Sequence, residues 1–383
     1  MYRRTGGETE MSTIRILHSA DLHLDSPFEG LSHGKAAVRR VEQRRLLSRM
    51  AELAQREHVD LVLLSGDLLD SSCTYLETGE ELIRSLQAMA VPVFIAPGNH
   101  DFYSAHSPYA RLKLPQNVHI FTRPEIDCVP VDTLGVPVCV YGAAFTDTHS
   151  ASLLDGFTAA REAGTLNIMC LHGEVGAPDS QYDPISEAAI AASGMDYIAL
   201  GHIHKASGLL RAGDCFYSWP GCPEGRGFDE TGEKYVNIVE LGDGGCTLEQ
   251  VCIAKRRYEL LTADVTGSDP LIAVHTLLPD ETVRDIYRIT LTGETAQAPD
   301  LTRLYDSLSE LFFDLQIRDR THIRRSVWER AGEDSLRGIF LMKLRALYDS
   351  AADDESRERI EQAARWGLAA LDNAEEVAVH EDK

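Results

Sequence analysis

Five short apolar runs, each followed closely by Asp, Asn or His, constrain what this 383-residue chain can fold into. Runs of this length bounded by turn residues are typical of buried strands, and segments of helical period separate the first three. The pattern predicts an α/β sheet whose parallel strands end at one ligand-binding edge. The runs are residues 14–17, 61–64, 91–95, 166–170 and 197–200.

The polar residues that follow these runs are of types that bind metal ions. A lone His is more often a core or surface residue, and a Gly-Asp pair after a strand is usually only a turn. Five such pieces in this order, all at strand ends, indicate one dinuclear metal site instead. Mixed nitrogen and oxygen ligands without thiolate fit Mn, Fe or Zn better than Mg or Ca, and we expect Mn. The residues are Asp21, His23, Asp67, Asn99, His100, Asp101, His172, His202 and His204.

The formal net charge is −23, from 37 Lys and Arg against 60 Asp and Glu. A protein that lives on nucleic acid usually presents a basic face. The charge therefore argues against strong unspecific DNA binding by this chain alone, although local basic patches are compatible with it.

One predicted helix, Lys35–Glu57, concentrates positive charge. Its buried stripe is predicted as Val38, Val41, Leu46, Met50 and Leu53. Its remaining surface carries Arg39, Arg40, Arg44, Arg45 and Arg49. A solvated helix face is the favoured interpretation of these arginines, and contact with substrate phosphates is the alternative.

Cysteine usage and the amino terminus indicate the compartment. The eight cysteines include no CxxC pair, which favours free thiols in a reducing environment. No run of 18 or more apolar residues exists, so we expect no membrane span. The first ten residues lack the apolar core of a signal peptide, and we expect residues 1–12 to be a disordered extension, with Met11 as an alternative start. These features predict a cytoplasmic protein.

The pattern changes twice along the chain. Three short strands are expected to form an antiparallel sheet after the last motif, at 215–219, 235–241 and 248–253. An amphipathic helix at 335–348 favours intramolecular packing over a partner surface. The expected divisions are a catalytic domain at 13–254, a small α+β unit at 255–325 and a helical segment at 326–383.

Taken together, the motifs over residues 13–205 resemble the signature of calcineurin-like metallophosphoesterases. The resemblance implies a β-sandwich flanked by helices, in α/β/β/α layers. It implies one metal held by Asp21, His23, Asp67 and His204, and a second held by Asp67, Asn99, His172 and His202, with Asp67 as the bridge. It further implies that His100 faces the scissile phosphate, to steady charge or protonate the leaving oxygen, with Asp101 as its orienting partner.

Residues 18–28 and 220–230 narrow the resemblance to the bacterial DNA-repair exonuclease branch, the SbcD and YhaO type. That branch implies a cap domain at 255–325, a homodimer, and a helical end that docks on an SMC-like coiled-coil ATPase. The cap and the partner are inferred only from the order of segments along the chain, since no motif beyond residue 254 supports them. Within the second segment, Arg226 either approaches a substrate phosphate or pairs with Asp229 or Glu230.

The expected function is a Mn-dependent phosphodiesterase of the DNA-repair exonuclease type, in which hydroxide generated at the metals displaces the leaving oxygen in line. A metallophosphoesterase for a small substrate, such as a cyclic nucleotide or phosphomonoester, is the first alternative, and the charge of −23 favours it. A DNA-binding or scaffold subunit of an SMC-like ATPase complex is the second.

Overall fold

The computed structural model of the chain describes residues 13–71, 74–131, 135–242, 244–323 and 327–371. The expected disordered extension, Cys73 and the end of the expected helical segment at 372–383 lie outside these ranges. Over the described ranges, no helix is long and apolar enough to cross a membrane.

The described strands follow one another along the chain as β1 (Thr13–Ser19), β2 (Leu61–Leu64), β3 (Val93–Ile95), β4 (Val118–Ile120), β5 (Asp127–Val131), β6 (Val138–Gly142), β7 (Leu166–His172), β8 (Glu174–Val175), β9 (Pro184–Ile185), β10 (Tyr197–Gly201), β11 (Leu210–Ala212), β12 (Cys215–Ser218), β13 (Tyr235–Gly242), β14 (Gly245–Cys252), β15 (Tyr258–Asp264), β16 (Ile286–Thr292), β17 (Glu294–Thr295), β18 (Asp314–Asp319) and β19 (His322–Ile323).

The described α-helices are α1 (His33–Arg56), α2 (Leu76–Met89), α3 (Pro108–Arg111), α4 (Glu187–Ala192), α5 (Pro270–Leu277), α6 (Leu301–Leu308), α7 (Leu336–Ser350) and α8 (Asp354–Leu371). Short 3₁₀ helices occupy Ser309–Leu311 and Val327–Gly332.

Two six-stranded sheets carry the five motifs. The first has the order β14-β13-β1-β2-β3-β4, with β1 to β4 parallel and β13 antiparallel to both β1 and β14. The second has the order β11-β12-β10-β7-β6-β5, with its four inner strands parallel and its two edge strands antiparallel. Because the motif-bearing strands are parallel within each sheet, their motifs come to the same edge of that sheet.

The alternation of side chains along the strands creates separate cores on the two faces of each sheet. Ile14 and Ile16 of β1 share a core with Ile168 of β7, which lies between the sheets. The opposite face of the first sheet packs on α1 and α2, and that of the second sheet packs on α4. The order of layers is therefore α/β/β/α, as expected.

The predicted pairing of three strands into one antiparallel sheet was wrong. The segment predicted at 215–219 does not pair with the strands predicted at 235–241 and 248–253, because β12 joins the second sheet, parallel to β10. The other two form the β13–β14 antiparallel pair and extend the first sheet beside β1. All three segments have the pattern of strands, but the pattern does not encode which sheet each one joins.

The predicted face of α1 was also partly wrong. Leu46, Met50 and Leu53 are buried as predicted, whereas Val38 and Val41 are 44% and 41% exposed. Of the five arginines, Arg39 is only 1% exposed, Arg45 is exposed, and the other three are half-buried.

Arg39 is buried because carboxylates surround it. Its guanidinium pairs with Glu224 and with Glu42, and it donates to the carbonyl oxygen of Gly225 at 3.0 Å. Glu42 in turn accepts two hydrogen bonds from Arg256, at 2.8 and 2.7 Å. A charge that would otherwise be solvated thus stabilises the contact between α1 and the segment around Glu224.

The chain divides into two compact units. The first contains residues 1–261, 278–289 and 305–317, and the second contains 262–277, 290–304 and 318–383. These bounds cross the domain limits expected at 254 and 325, which stay predictions.

The helical end of the chain has a small core of its own. Leu341 of α7 and Ala364 of α8 are buried together with Val327, and Phe340 and Leu344 pack against them. Other apolar side chains of α7, including Leu336, remain exposed. The amphipathic helix therefore packs within its own unit through part of its apolar surface.

Replacing Arg39 by Ala is expected to lower the free energy of unfolding by about 3–5 kcal/mol, because the buried Glu224 carboxylate then lacks its cation. Urea unfolding of the full chain measures the loss. Arg45→Ala, on the exposed side of the same helix, is the matched control and is expected to stay within about 0.5 kcal/mol of the parent protein. Equal effects of the two substitutions would contradict the structural role of Arg39.

Candidate metal centre

The loops after β1 and β2 hold the first ligands in an unusual backbone conformation. Asp21, His23 and Asp67 have φ of 53°, 44° and 51°, which non-glycine residues seldom adopt. Hydrogen bonds between the loops fix them: the Asp21 amide donates to the Gly66 carbonyl at 3.0 Å, and the His23 amide donates to the Asp67 carbonyl at 2.9 Å. The two loops therefore present their side chains as one unit.

Two glycines allow the loops of both sheets to approach one another. A Cβ atom at Gly98 would collide with the Asp67 carboxylate, and one at Gly201 would collide with the Ser65 carbonyl. A larger residue at either position would displace the ends of β2 or β10.

The structure brings the predicted metal ligands together around Asp67. Its Oδ2 lies 3.6 Å from His23 Nε2 and 3.5 Å from His172 Nε2. Asn99 Oδ1 lies 3.0 Å from His172 Nε2. Donor atoms lie within 4.8 Å of one another in three overlapping groups, which are Asp21, His23, His204; His23, Asp67, His100; and Asp21, Asp67, His172.

His202 occupies the side of the cluster nearest His172. The two imidazole centroids are 5.2 Å apart, and the His202 amide donates to Asp21 Oδ1 at 3.0 Å. The Tyr182 ring lies against its other side, with a centroid separation of 4.8 Å. His202 thus joins the cluster through its neighbours His172 and Asp21.

Hydrogen bonds fix which nitrogen of each imidazole is free. His172 Nδ1 lies 2.9 Å from the Ser65 carbonyl oxygen, which can only accept, so this nitrogen carries the hydrogen. Burial lowers the pKa of His172 to about 4, so the neutral ring has a lone pair on Nε2. That lone pair faces Asn99 Oδ1 and Asp67 Oδ2, which are also acceptors.

A similar set of hydrogen bonds orients His23 and His204, although the pKa of His204 is raised, because burial is outweighed by its hydrogen bond to Glu230 and by the nearby carboxylates. Their Nδ1 atoms donate to Asp70 at 3.1 Å and to Glu230 at 2.6 Å, and their Nε2 atoms face each other at 3.2 Å. Burial lowers the pKa of His23 to about 4. The Nε2 atoms of these rings point towards one another and towards two carboxylates, and together they form a donor set that fits divalent cations bound by nitrogen and oxygen.

The pKa values of the two carboxylates Asp21 and Glu230 are shifted in opposite directions. Burial raises the pKa of Asp21 to about 8, because nearby positive charge offsets only part of the loss of solvation. Burial would also raise the pKa of Glu230, but hydrogen bonds from His204 and Arg226 bring it well below its usual range. Asp21 is therefore a candidate ligand that a bound cation would hold ionised, whereas the partners of Glu230 already keep it ionised.

Asp70 and Glu230 contact candidate ligands, and the sequence prediction assigned them no role at the metal centre. Asp70 lies three residues after Asp67, behind the second apolar run, and Glu230 was named only as a possible partner of Arg226. The available signal was that each is an acidic residue in a segment that also carries a motif. Their partners, His23 and His204, are 47 and 26 residues distant along the chain, so spacing alone does not reveal the contact.

Asp101 does not have the partner that was expected. Its buried carboxylate accepts hydrogen bonds from the Gly98 and Leu68 amides, both at 2.8 Å, and from the Tyr109 hydroxyl. His100 Nδ1 instead lies 3.2 Å from the Asp70 carbonyl oxygen. Asp101 therefore stabilises the loops after β2 and β3 and does not orient the His100 ring.

Arg226 pairs with Glu230, which is one of the two alternatives expected from the sequence. It contacts Glu230 through Nη2 at 2.7 Å and, in addition, Asp70 through Nη1 at 3.3 Å. This places the guanidinium behind the imidazoles of His23 and His204.

A four-layer α/β/β/α fold with this donor cluster at its sheet edges is that of a metal-dependent hydrolase. Residues 14–206 match the calcineurin-like phosphoesterase family, and the chain belongs to that family. The family and the donor set together imply a dinuclear site for divalent metals.

Three curated relatives match the chain over a longer stretch than the family model does. The chain is 29% identical over 282 residues to the uncharacterized metallophosphoesterase YhaO of Bacillus subtilis, covering 70% of this chain and 68% of the relative. It is 27% identical over 271 residues to the DNA double-strand break repair protein Mre11 of Saccharolobus solfataricus, covering 65% and 66%. It is 25% identical over 270 residues to a subunit of the nuclease SbcCD of Bacillus subtilis, covering 60% and 67%.

We expect metal removal to make the stability of the protein depend on pH between about 6.5 and 8. In this window metal-free folded Asp21, with a pKa of about 8, keeps a proton that the unfolded chain loses near pH ~3.9, so stability falls as pH rises. The raised pKa of His204 acts in the same direction. His23 and His172, with lowered pKa, influence stability only below about pH 6.5.

Thermal unfolding of the chelator-treated protein across this range measures the effect. Saturating Mn²⁺ should reduce the fall in Tm, because bound metal holds Asp21 and His204 deprotonated. The same slope with and without Mn²⁺ would contradict the assignment of these two residues as ligands.

Proposed function

We propose that this protein is a Mn-dependent phosphodiesterase that hydrolyses DNA, of the DNA-repair exonuclease type. The observation that carries the proposal is the position of His100 beside the ligand cluster. Its ring is exposed, its centroid lies 4.7 Å from that of His23, and its amide donates to Asp67 Oδ1 at 2.9 Å. An accessible imidazole beside buried ligands suits proton transfer to a reacting phosphate ester.

The ligands divide into two sets in this proposal. Asp21, His23, Asp67 and His204 hold one metal, and Asp67, Asn99, His172 and His202 hold the other. The central place of Asp67 among the imidazoles supports a bridging role. Nitrogen-rich, thiolate-free ligation supports Mn, with Fe or Zn as the alternatives.

Two bound metals supply a nucleophile at neutral pH and neutralise phosphoryl charge. The side chains supply position and proton transfer. His100 Nδ1 donates to the Asp70 carbonyl, so Nε2 of the doubly protonated ring is the atom that would pass a proton to the leaving oxygen, which leaves a neutral imidazole with its hydrogen on Nδ1. Asp101 positions the loops on which Asp67 and His100 lie, through its bonds to the Asp67, Leu68 and Gly98 amides.

The names of two relatives support DNA as the substrate. One is a DNA double-strand break repair protein and another is part of a nuclease, each matched over about two thirds of its length. From the resemblance of residues 18–28 and 220–230 we further propose a cap at 255–325, a homodimer, and an SMC-like ATPase that docks on the helical segment from residue 326. The exposed apolar residues of α7, such as Leu336 and Ile339, support a partner on that segment. We also propose a cytoplasmic location, which the cysteine usage supports.

The arginines of α1 are not proposed as the main phosphate contacts. Arg44 pairs with Asp25, Arg40 donates to a carbonyl oxygen in the same loop, and Arg49 donates to the Ile253 carbonyl. These three side chains and Arg39 have partners within the fold, whereas Arg45 is exposed. The net charge of −23 is therefore not offset by a continuous basic stripe on this helix.

Hydrolysis of a small phosphoester is the second candidate. The net charge of −23 favours it, because a small substrate needs no extended basic surface. The relative YhaO, named only as an uncharacterized metallophosphoesterase, is compatible with either substrate.

The purified full chain should degrade linear single- or double-stranded DNA when Mn²⁺ is added. Bis(p-nitrophenyl) phosphate and cyclic nucleotides are assayed beside DNA. Asp67→Ala, which removes the central carboxylate, should abolish hydrolysis of every substrate. Activity on the small esters alone, with or without an added SMC-like ATPase, would contradict DNA as the substrate and favour the second candidate.

His100→Asn in the same assay isolates the proton-transfer role. We expect kcat to fall roughly 10²–10⁴-fold with Mn²⁺ still bound, since loss of a general acid has effects of that size. His106→Asn, an exposed histidine that is not assigned to the metal centre, is the control. Unchanged turnover in His100→Asn would refute the role.

A further inference from the structure

We propose that Arg226 is a positioning residue of the metal centre, whose guanidinium fixes the separation of the ligands His23 and His204. This inference rests on the dinuclear site of the proposed function and does not depend on which phosphoester is hydrolysed.

Arg226 joins two carboxylates with different parts of its guanidinium. Nη1 lies 3.3 Å from Asp70 Oδ1. Nη2 lies 2.7 Å from Glu230 Oε1, and Nε lies 3.3 Å from Glu230 Oε2. The Arg226 amide also donates to Glu230 Oε2 at 2.7 Å. Both ends of the planar group are therefore occupied within the protein.

The oxygens that Arg226 contacts are those that hold the imidazoles. Asp70 Oδ1 also accepts from His23 Nδ1 at 3.1 Å, and Glu230 Oε1 also accepts from His204 Nδ1 at 2.6 Å. On the far side of the rings, the two Nε2 atoms are 3.2 Å apart. One guanidinium thus sets the positions of both ligands expected on the same metal.

Only arginine has the shape for this task. Its donors lie in a rigid planar fork that spans two carboxylates, whereas the ammonium of lysine is a single point of charge. The charge of Arg226 also offsets the carboxylates of Asp70 and Glu230, which lie behind the imidazoles. Asp67 and Asp21 lie on the opposite side of those rings. Without the charge of Arg226, repulsion among the acidic groups would favour other positions of Asp70 and Glu230.

The backbone that carries Arg226 is itself anchored. Arg39 of α1 donates to the carbonyl of Gly225, the preceding residue, at 3.0 Å and pairs with Glu224. The side chain of Arg226 is 21% exposed, so its reach is limited by contacts on most sides. These restraints suit a fixed support and not a mobile contact for substrate.

The test is Mn²⁺ binding to the full chain without substrate, by equilibrium dialysis with metal analysis. The parent protein should bind two Mn²⁺, and Arg226→Gln should bind one of them about 10–100-fold more weakly, as is usual when a partner of a metal ligand is lost. Arg226→Lys should not restore the affinity. Arg123→Gln is the control. Arg123, like Arg226, forms an ion pair, but its single partner is Asp127 and both side chains are exposed.

Melting of each variant in chelator verifies that it is folded. Glu230→Gln, which preserves the shape of the side chain, should show the same loss of affinity at one metal, and it replaces Arg226→Gln if that variant does not fold. The proposal would be overturned if Arg226→Gln bound two metals as tightly as the parent protein, had a raised KM, and Arg226→Lys had the KM of the parent. That result would assign Arg226 to contact with a substrate phosphate. A parent protein that binds two Mn²⁺ but hydrolyses no DNA would refute the proposed function and leave this inference standing.

Discussion

Buried negative charge at the edges of the two sheets is the constraint on which the rest of the structure depends. Asp21, Asp67 and Asp101 are 1%, 2% and 1% exposed. Ionised carboxylates removed from water are stable only when cations or several hydrogen bonds compensate them. Backbone amides and the Tyr109 hydroxyl compensate Asp101, so that it becomes part of the scaffold. Asp21 and Asp67 each accept from one backbone amide, that of His202 and of His100 respectively, and they also face imidazole nitrogens. Divalent cations are the charges that would satisfy both the carboxylates and the imidazoles.

The loops at the sheet edges have the conformation that is needed to gather these carboxylates and imidazoles at one place. Bringing ligands from two sheets to one point needs loops that reverse sharply and approach closely, which explains the left-handed φ of Asp21 and Asp67 and the glycines at 98 and 201. A second ring of charged groups then orients the imidazoles. In that ring Asp70, Glu230 and Arg226 lie behind His23 and His204, while the Ser65 carbonyl holds His172. The ligand geometry is thus supported by residues from several distant parts of the chain.

The candidate ligands could be proposed from the sequence because each lies at the end of a strand or within a few residues after it, and strand and polar residue are both local features. The α/β/β/α layers came from the family resemblance, and the structure confirms them. Three features could not be predicted in this way. They are the sheet that β12 joins, the burial of Arg39, and the residue that accepts the hydrogen bond from His204. Each depends on a contact between residues far apart: Arg39 and Glu224 are 185 positions apart, and a helical wheel assigns a charged residue to solvent by default. The predicted role of Asp101 failed for a related reason, since adjacency to His100 does not determine which way its carboxylate points.

Diffraction from crystals grown with Mn²⁺, with data collected at the Mn absorption edge, would show directly whether the centre is dinuclear. Two anomalous peaks are expected about 3.5–4 Å apart, on either side of the Asp67 carboxylate. One should lie next to His23 and His204, and the other next to Asn99 and His172. A single peak, or peaks that do not touch Asp67, would contradict the dinuclear centre from which the proposed chemistry follows.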